Sequence, residues 1–198
     1  YAARANPETV VTPALLADLR LGLEFEDVEV REKLAKALEH VASGDPRRLA
    51  HHASDLAAHL DDESELVRYH ICTALGLIGC VSPERLGPLQ SSLVDRLDDE
   101  SPYVRGRAIE ALGSVEHVMS VPDRLLESET EFVAERARFA AGGTEDDPAF
   151  GTVESIRETT DSAVAELTSP DIDGSCPHCG CDWSGSGPPM CPECRAPQ

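Results

Sequence analysis

Five of the seven cysteines fall within the last 23 residues, where they form two pairs with the spacing of metal ligands. The pairs are Cys176-x2-Cys179 and Cys191-x2-Cys194, with eleven residues between them. Each pair can present two thiolates to one ion, and four thiolates arranged as a tetrahedron form a structural zinc site. Such a site has no open coordination position, so we expect one Zn²⁺ that stabilises the segment and does not catalyse a reaction.

The segment at 176–198 resembles a zinc ribbon, with the departure that Arg195 follows the second pair where a glycine often stands. Cys181 and His178 are additional potential ligands. We expect Cys181 to point away from the metal and His178 to lie at the surface or behind the ligands. Disulfide pairing is the remaining alternative, and it needs an oxidising compartment that nothing else in the sequence supports.

The remaining cysteines, Cys72 and Cys80, lie in and just after an apolar helical stretch. A small buried side chain is the usual role of cysteine in that setting. A reactive thiol is the alternative, but no histidine or acid is placed by the sequence to activate either residue.

The elements before this segment are organised by a 37-residue period. Val30-Arg31, Val67-Arg68 and Val104-Arg105 recur at that step, and the apolar positions after them keep the register. A period of this length indicates stacked supersecondary units. Each unit contains a leucine-rich first helix, an acidic turn and a second helix with one apolar stripe.

The repeated VR-x-x-A-x-x-A-L-G pattern, with its acidic turn, resembles the HEAT-repeat family, including the bilin-lyase-like subgroup. The resemblance covers about 8–141 and implies an all-α solenoid of about four helical pairs, whose second helices line the concave side. We therefore divide the chain into a HEAT-like α-solenoid at 1–141, a linker at 142–175 and a zinc ribbon at 176–198. The linker should contain one amphipathic helix at about 152–168, which either caps the final pair or separates the two modules.

The formal net charge of −20 is spread over most loops and helix faces. Two lysines stand against fifteen arginines, and this pattern resembles that of proteins from salt-loving archaea, so the charge does not name a partner. We find no apolar run long enough to cross a membrane and no signal-peptide pattern, which favours a cytoplasmic protein.

The predicted second helices do not share this negative charge. They carry eight basic and six acidic side chains over 29–42, 66–79, 103–116 and 132–141. Their solvent-facing columns are predicted to bind a partner through Lys33, Lys36, Tyr69, His70, Arg107 and Arg136. The Arg31, Arg68 and Arg105 column is assigned to structure instead, because the family resemblance implies that such arginines pair with turn aspartates. Asp27, Asp62 and Asp99 are the expected partners.

These features favour a non-enzymatic interaction or scaffold module that binds a protein on its concave face and uses the ribbon as a second contact. The alternative is a nucleic-acid-associated factor of the translation or transcription machinery, associated with the ribosome or RNA polymerase. The ribbon argues against it, because from Cys176 onward it has one arginine. A lyase-like HEAT enzyme is less favoured, since we see no nucleophile with a base and no repeated His-Glu pairs.

Overall fold

A computed structural model describes residues 11–115, 121–142 and 150–168, and these residues form helices and turns with no strand among them. The cysteine pairs of the expected zinc ribbon lie outside the described residues. The backbone divides into two compact units, Tyr1–Ala163 and Val164–Gln198. Of the second unit, the structure describes only 164–168, the end of the last helix.

Four long helices correspond to the second helices of the repeat. They are α2 (Val28–Gly44), α5 (Glu65–Val81), α7 (Pro102–Gly113) and α9 (Glu131–Ala140), and each packs against the next. Three of them begin with a side-chain cap, because Asp27, Ser64 and Ser101 each accept a hydrogen bond from a backbone amide of the first turn. In these three units the turn before the second helix thus supplies the residue that caps it, whereas Thr130 before α9 makes no such bond.

The first helices are shorter and less regular than the leucine spacing predicts. They comprise α1 (Pro13–Leu21), α3 (Arg47–Ala50), α4 (Ala53–Ala57), α6 (Gln90–Asp95) and α8 (Asp123–Leu126), joined in part by 3₁₀ turns. In the third unit the first helix is interrupted at Gly87–Leu89, because Pro88 cannot donate a backbone hydrogen bond and Gly87 weakens the helix. In the second and third units the leucines of this stretch are still buried, as Leu49, Leu56, Leu86 and Leu93 are fully inaccessible, whereas Leu15 and Leu21 of α1 are exposed.

One further helix, α10 (Val153–Thr168), follows the repeats at the place where the sequence predicts a helix. Its buried residues are Ser155, Ile156, Thr160 and Ala163. Ile156 lies against the second helices, since a Cβ added to Gly76 of α5 would lie 3.4 Å from its Cδ1 atom. This helix is therefore not a free spacer, and it covers more than the last repeat. Residues 153–163 instead lie along the faces of the second helices.

Candidate functional site

The predicted partner-binding residues separate into an exposed and a buried group. Lys33 is exposed and pairs with Glu29 at 2.6 Å, and Lys36 is half-buried. The prediction that the column faces solvent is wrong for the other four residues, because Tyr69, His70, Arg107 and Arg136 are all at most 2% exposed. The repeat places all of them on the second helices, as expected, but neighbouring second helices and α10 cover them. We call the side of the four second helices that carries these six residues the second-helix face.

A chain of buried polar contacts crosses this face from one repeat to the next. Between α2 and α5, Nδ1 of His70 lies 3.0 Å from Oε2 of Glu39. Between α5 and α7, the guanidinium of Arg107 donates to the hydroxyl oxygen of Tyr69 at 3.1 and 3.3 Å. Between α7 and α9, Nε of Arg136 donates to Glu110 at 3.1 Å. Each pair of adjacent second helices is therefore joined by at least one buried hydrogen bond.

The electrostatics of Glu39 follow from its surroundings. Burial raises the pKa of this carboxyl, but hydrogen bonds and charge interactions with His40 and His70 outweigh burial and lower the pKa to about 2. Glu39 is consequently a carboxylate near neutral pH, and it must accept a hydrogen bond from His70. Ser43 adds a donor to the other oxygen at 3.3 Å.

Two arginines share one carboxylate at the centre of the face. Oε2 of Glu110 accepts from Arg107 at 2.7 Å and from Arg136 at 3.1 Å, and all three side chains are about 1% exposed. The other oxygen, Oε1, is buried and accepts no hydrogen bond from the described residues. Burial lowers the pKa of Arg136, and the charge of Arg107 acts in the same direction, while Glu110 opposes both. Two guanidinium groups against one carboxylate leave this cluster with a surplus positive charge.

An aromatic ring fixes the position of the second arginine. The guanidinium carbon of Arg136 lies 3.5 Å from the centroid of the Phe132 ring, in the geometry of a cation–π contact. The ring in turn occupies space that only a glycine leaves open, because a Cβ on Gly106 would lie 2.5 Å from it. Contacts between α7 and α9 therefore hold the positively charged cluster in place, in addition to its contacts with α10.

The contacts to α10 are made with neutral oxygen atoms. Arg107 donates to the carbonyl oxygen of Ile156 at 3.2 Å and to the hydroxyls of Thr159 and Thr160 at 2.9 and 3.1 Å. Arg136 donates to the same Thr159 hydroxyl at 3.1 Å. At another point of the helix, Arg157 donates to the carbonyl oxygen of Ser43 in α2. The helix thus spans contacts from the first of the four second helices to the last.

The structural arginine column is observed for two of its three arginines, which pair with two of the expected aspartates. The third, Arg105, donates to the backbone carbonyl oxygens of Asp99 and Glu100. Arg31 contacts both carboxylate oxygens of Asp62, at 2.8 and 3.2 Å, and Arg68 contacts both oxygens of Asp99, at 2.8 and 3.0 Å. The prediction that Asp27 is a third partner is wrong. Its side chain caps α2, and Arg31 reaches forward to the turn of the next unit instead.

The two cysteines of the repeats fit the prediction of unreactive side chains. Burial raises the pKa of both the Cys72 and the Cys80 thiols to about 12, so that little thiolate forms near neutral pH. Among the described residues, no group of three or more His, Cys, Asp or Glu side chains is arranged to hold a metal ion. No helix of the described ranges is long and apolar enough to cross a bilayer.

The sequence did not identify Glu39, Glu110 or the docking role of α10. From the sequence alone, Glu39 and Glu110 are two of the six acidic side chains of the second helices. Each nevertheless stands in a repeat column whose other members are neutral or basic. Glu110 occupies the column of Lys36 and Thr73, and Glu39 occupies the column of Gly76 and Gly113. A single acidic residue in a column that is otherwise not acidic is the sequence signal that could indicate a buried ion pair or hydrogen bond at that position.

Over the residues that the structure describes, this architecture is that of a helical repeat protein, a solenoid of helical pairs with a polar second-helix face. Residues 53–142 match a family model described as HEAT repeats. The fold is similar to a designed armadillo repeat protein solved in complex with the peptide (KR)4, at 21% identity and a TM-score of 0.58, covering 84% of this chain and 85% of that one. It is also similar to an engineered protein solved by crystallography, at 22% identity and a TM-score of 0.56, covering 86% and 83% of the two chains. No curated protein matches the chain. Together the family match and the shared fold support a HEAT-type repeat protein.

Proposed function

We propose that the protein is a non-enzymatic scaffold that binds a segment of another protein along its second-helix face. The observation that carries this proposal is that the face already holds a helix, α10, through the side chains of Arg107 in α7 and Arg136 in α9, the backbone carbonyl of Ser43 in α2 and the close approach of Ile156 to Gly76 in α5. The similar designed armadillo protein was solved with a peptide, which supports peptide binding as a use of this architecture. The basic character of that peptide does not carry over, because the second helices here have more basic than acidic side chains.

The lysines of this chain offer a direct test. Lys33 and Lys36 are its two lysines and both lie on α2, so a lysine-directed cross-linker reports on contacts at the second-helix face. We expect the full chain, used as bait in its native cell at native salt, to form cross-links from these lysines to a captured protein. An Arg85→Lys variant is the matched control, because Arg85 is exposed on a first-helix turn, and it should add no cross-link.

The outcomes separate the candidate functions. A partner that cross-links through Arg85→Lys and not through Lys33 or Lys36 would contradict binding at the second-helix face. Capture of ribosomal or RNA polymerase proteins through the two lysines would identify the partner as part of those machines. RNA-dependent capture, lost on nuclease treatment, would favour the nucleic-acid-associated function instead.

We also propose that Cys176, Cys179, Cys191 and Cys194 bind one structural Zn²⁺ and that the folded ribbon supplies a second contact to the partner. The spacing of the two pairs and the thiolate chemistry of all four ligands support this site. Metal analysis of the purified full chain should find one zinc per molecule. A double variant, Cys176→Ser with Cys191→Ser, should lose the metal, whereas Cys181→Ser should retain it. Zinc loss in Cys181→Ser, or no zinc in the wild-type chain, would overturn the four-ligand assignment.

A further inference from the structure

We propose that the partner of the second-helix face is an acidic amphipathic helix, and that α10 is an intramolecular occupant which this helix displaces. The inference rests on the proposed function and adds the chemistry of the partner and a competitor within the same chain. It depends on three observations, which concern the charge of the face, the atoms that α10 offers to it and the small apolar area that holds α10.

The first observation is the charge of the cluster under α10. Arg107 and Arg136 share a single oxygen of Glu110, and the whole group is buried. A buried guanidinium without its own counter-ion is costly, so the cluster favours any additional negative charge that reaches it. The arginines are also pre-positioned for this, since Phe132 holds Arg136 and Tyr69 holds Arg107.

The second observation is that α10 supplies no charge at this point. Its acceptors are the carbonyl oxygen of Ile156 and the hydroxyls of Thr159 and Thr160. Thr159 receives hydrogen bonds from both arginines. A carboxylate at the Thr159 position would accept from the same two guanidinium groups and would add the opposite charge that a hydroxyl lacks, as in the short N⁺–H···O⁻ bonds between arginine and carboxylates. The face is therefore better suited to an acidic side chain than to the one that occupies it.

The third observation is the weak apolar anchor of α10. Of its buried residues, Ile156 is the one large apolar side chain, and the other three are Ser155, Thr160 and Ala163. The burial of a single large apolar side chain is a weak anchor for a helix of 16 residues that must stay docked. The helix itself is acidic, with four acids and one arginine giving a net charge of −3, so its overall charge already suits the face.

These observations define the recognition pattern of the partner. It is a helix with an aliphatic residue in the place of Ile156 and, three residues later on the same face, an aspartate or glutamate in the place of Thr159. Because α10 is tethered to the face, its effective concentration is on the order of millimolar. A partner helix binds only to molecules in which α10 has left, so its apparent affinity is reduced by the fraction of closed molecules.

A peptide of residues 152–168 of this chain, labelled with fluorescein, is the probe. Fluorescence anisotropy would measure its binding to three full-length proteins: the wild type, Ile156→Asp and Gly76→Leu. The aspartate removes the apolar anchor of α10, and the leucine fills the space that Ile156 uses, so both variants should release the helix. Far-ultraviolet circular dichroism and the thermal midpoint would establish that the solenoid of each variant remains folded.

We expect no saturable binding of the peptide to the wild type at micromolar concentration and saturable binding to Ile156→Asp. Gly76→Leu should also release α10 but should bind the peptides more weakly than Ile156→Asp does, because its leucine occupies the space of Ile156 in the peptide as well. A peptide carrying Thr159→Glu should bind the released proteins about fivefold to tenfold more tightly than the unmodified peptide. The matched control is Ser162→Glu, which adds the same charge at an exposed position and should change the affinity less than about twofold.

Three contradicting outcomes are distinguishable. If no peptide binds either folded variant, the second-helix face does not hold helices in trans, and the proposed function fails with the inference. If the unmodified peptide binds but Thr159→Glu gives no greater gain than Ser162→Glu, the face binds helices without preference for an acid at this point, and the inference alone is overturned. Equal binding to the wild type and to Ile156→Asp would show that α10 is not a competitor.

Discussion

Arg107 of α7 donates a hydrogen bond to the backbone carbonyl oxygen of Ile156, 3.2 Å away in a helix that is not part of the repeat. A side chain that the repeat places in a column with Lys33 and His70 is thereby buried by an element outside the repeat. This single contact explains why the column cannot be read as solvent-exposed from the period alone. With the bonds from Arg107 and Arg136 to the Thr159 hydroxyl, the second-helix face contacts both the backbone and the side chains of α10.

A single substitution at position 128 should extend the column of arginine–aspartate pairs to Arg105. Asp62 and Asp99 lie five residues before Val67 and Val104, and the equivalent position before Val133 is Ser128. Ser128 keeps the local role of these aspartates, since its hydroxyl accepts from the amide of Thr130 at 3.3 Å. It has no carboxylate to offer to Arg105.

We therefore expect Ser128→Asp to stabilise the protein by about 0.5–1 kcal/mol, because it supplies Arg105 with the pairing that Arg31 and Arg68 already have. Urea unfolding of the wild type, each single variant and the double variant with Arg105→Ala would measure the coupling between the two positions. Stabilisation of the same size in the absence of Arg105 would show that the aspartate acts on the helix terminus and not on the arginine.

Two glycines of the second helices, Gly76 and Gly106, should respond in opposite ways to alanine. Gly76→Ala places a Cβ 3.4 Å from Ile156, which is ordinary contact, so the better helix propensity of alanine should stabilise the protein by up to about 1 kcal/mol. Gly106→Ala places a Cβ 2.5 Å from the ring of Phe132 and should destabilise the protein, although alanine again has the better helix propensity. Thermal unfolding of the pair checks this. If Gly106→Ala is as stable as Gly76→Ala, the ring does not fix Arg136 as described.

The Glu39 carboxylate should make stability depend on acid pH. Its folded-state pKa of about 2 lies below its ordinary value of 4.5, so it contributes stability that is fully present above pH 4.5 and is lost as the pH falls towards 2. The shift corresponds to about 3 kcal/mol. We expect the wild type to lose more unfolding free energy than Glu39→Gln between pH 6 and pH 2.5, measured by urea titration. Parallel losses in both proteins would mean that the buried contacts with His40 and His70 do not set this pKa.

The repeat, the second helices and the inter-repeat arginines were predictable because they depend on local patterns. The apolar stripes of α5 and α7 define their buried sides, and the acidic turns supply both the caps and the partners of Arg31 and Arg68. These contacts recur at a constant sequence separation, so one unit predicts the next. The Asp27 assignment failed because the pairing runs forward along the chain.

The burial of the second-helix face was not predictable from the same patterns. His70 and Tyr69 are buried against single residues of neighbouring second helices, Glu39 and Arg107. Arg107 in turn contacts α10, which has no periodic relation to the repeats. The helix is recognisable in the sequence, yet its few apolar residues do not say which surface it covers. The charge bias of the second helices was a real signal, but part of it belongs to the buried cluster with Glu110 and not to an exposed surface.

Hydrogen exchange of the α10 amides tests the central claim, that the second-helix face holds this helix, most directly. An undocked helix of this length is marginally stable in water, so its amides would exchange almost as fast as those of an unstructured peptide. We predict that residues 156–163 are protected in the wild type and lose their protection in Ile156→Asp, while α5 and α7 keep theirs. Rapid exchange of these residues in the wild type, or unchanged protection in Ile156→Asp, would contradict the claim.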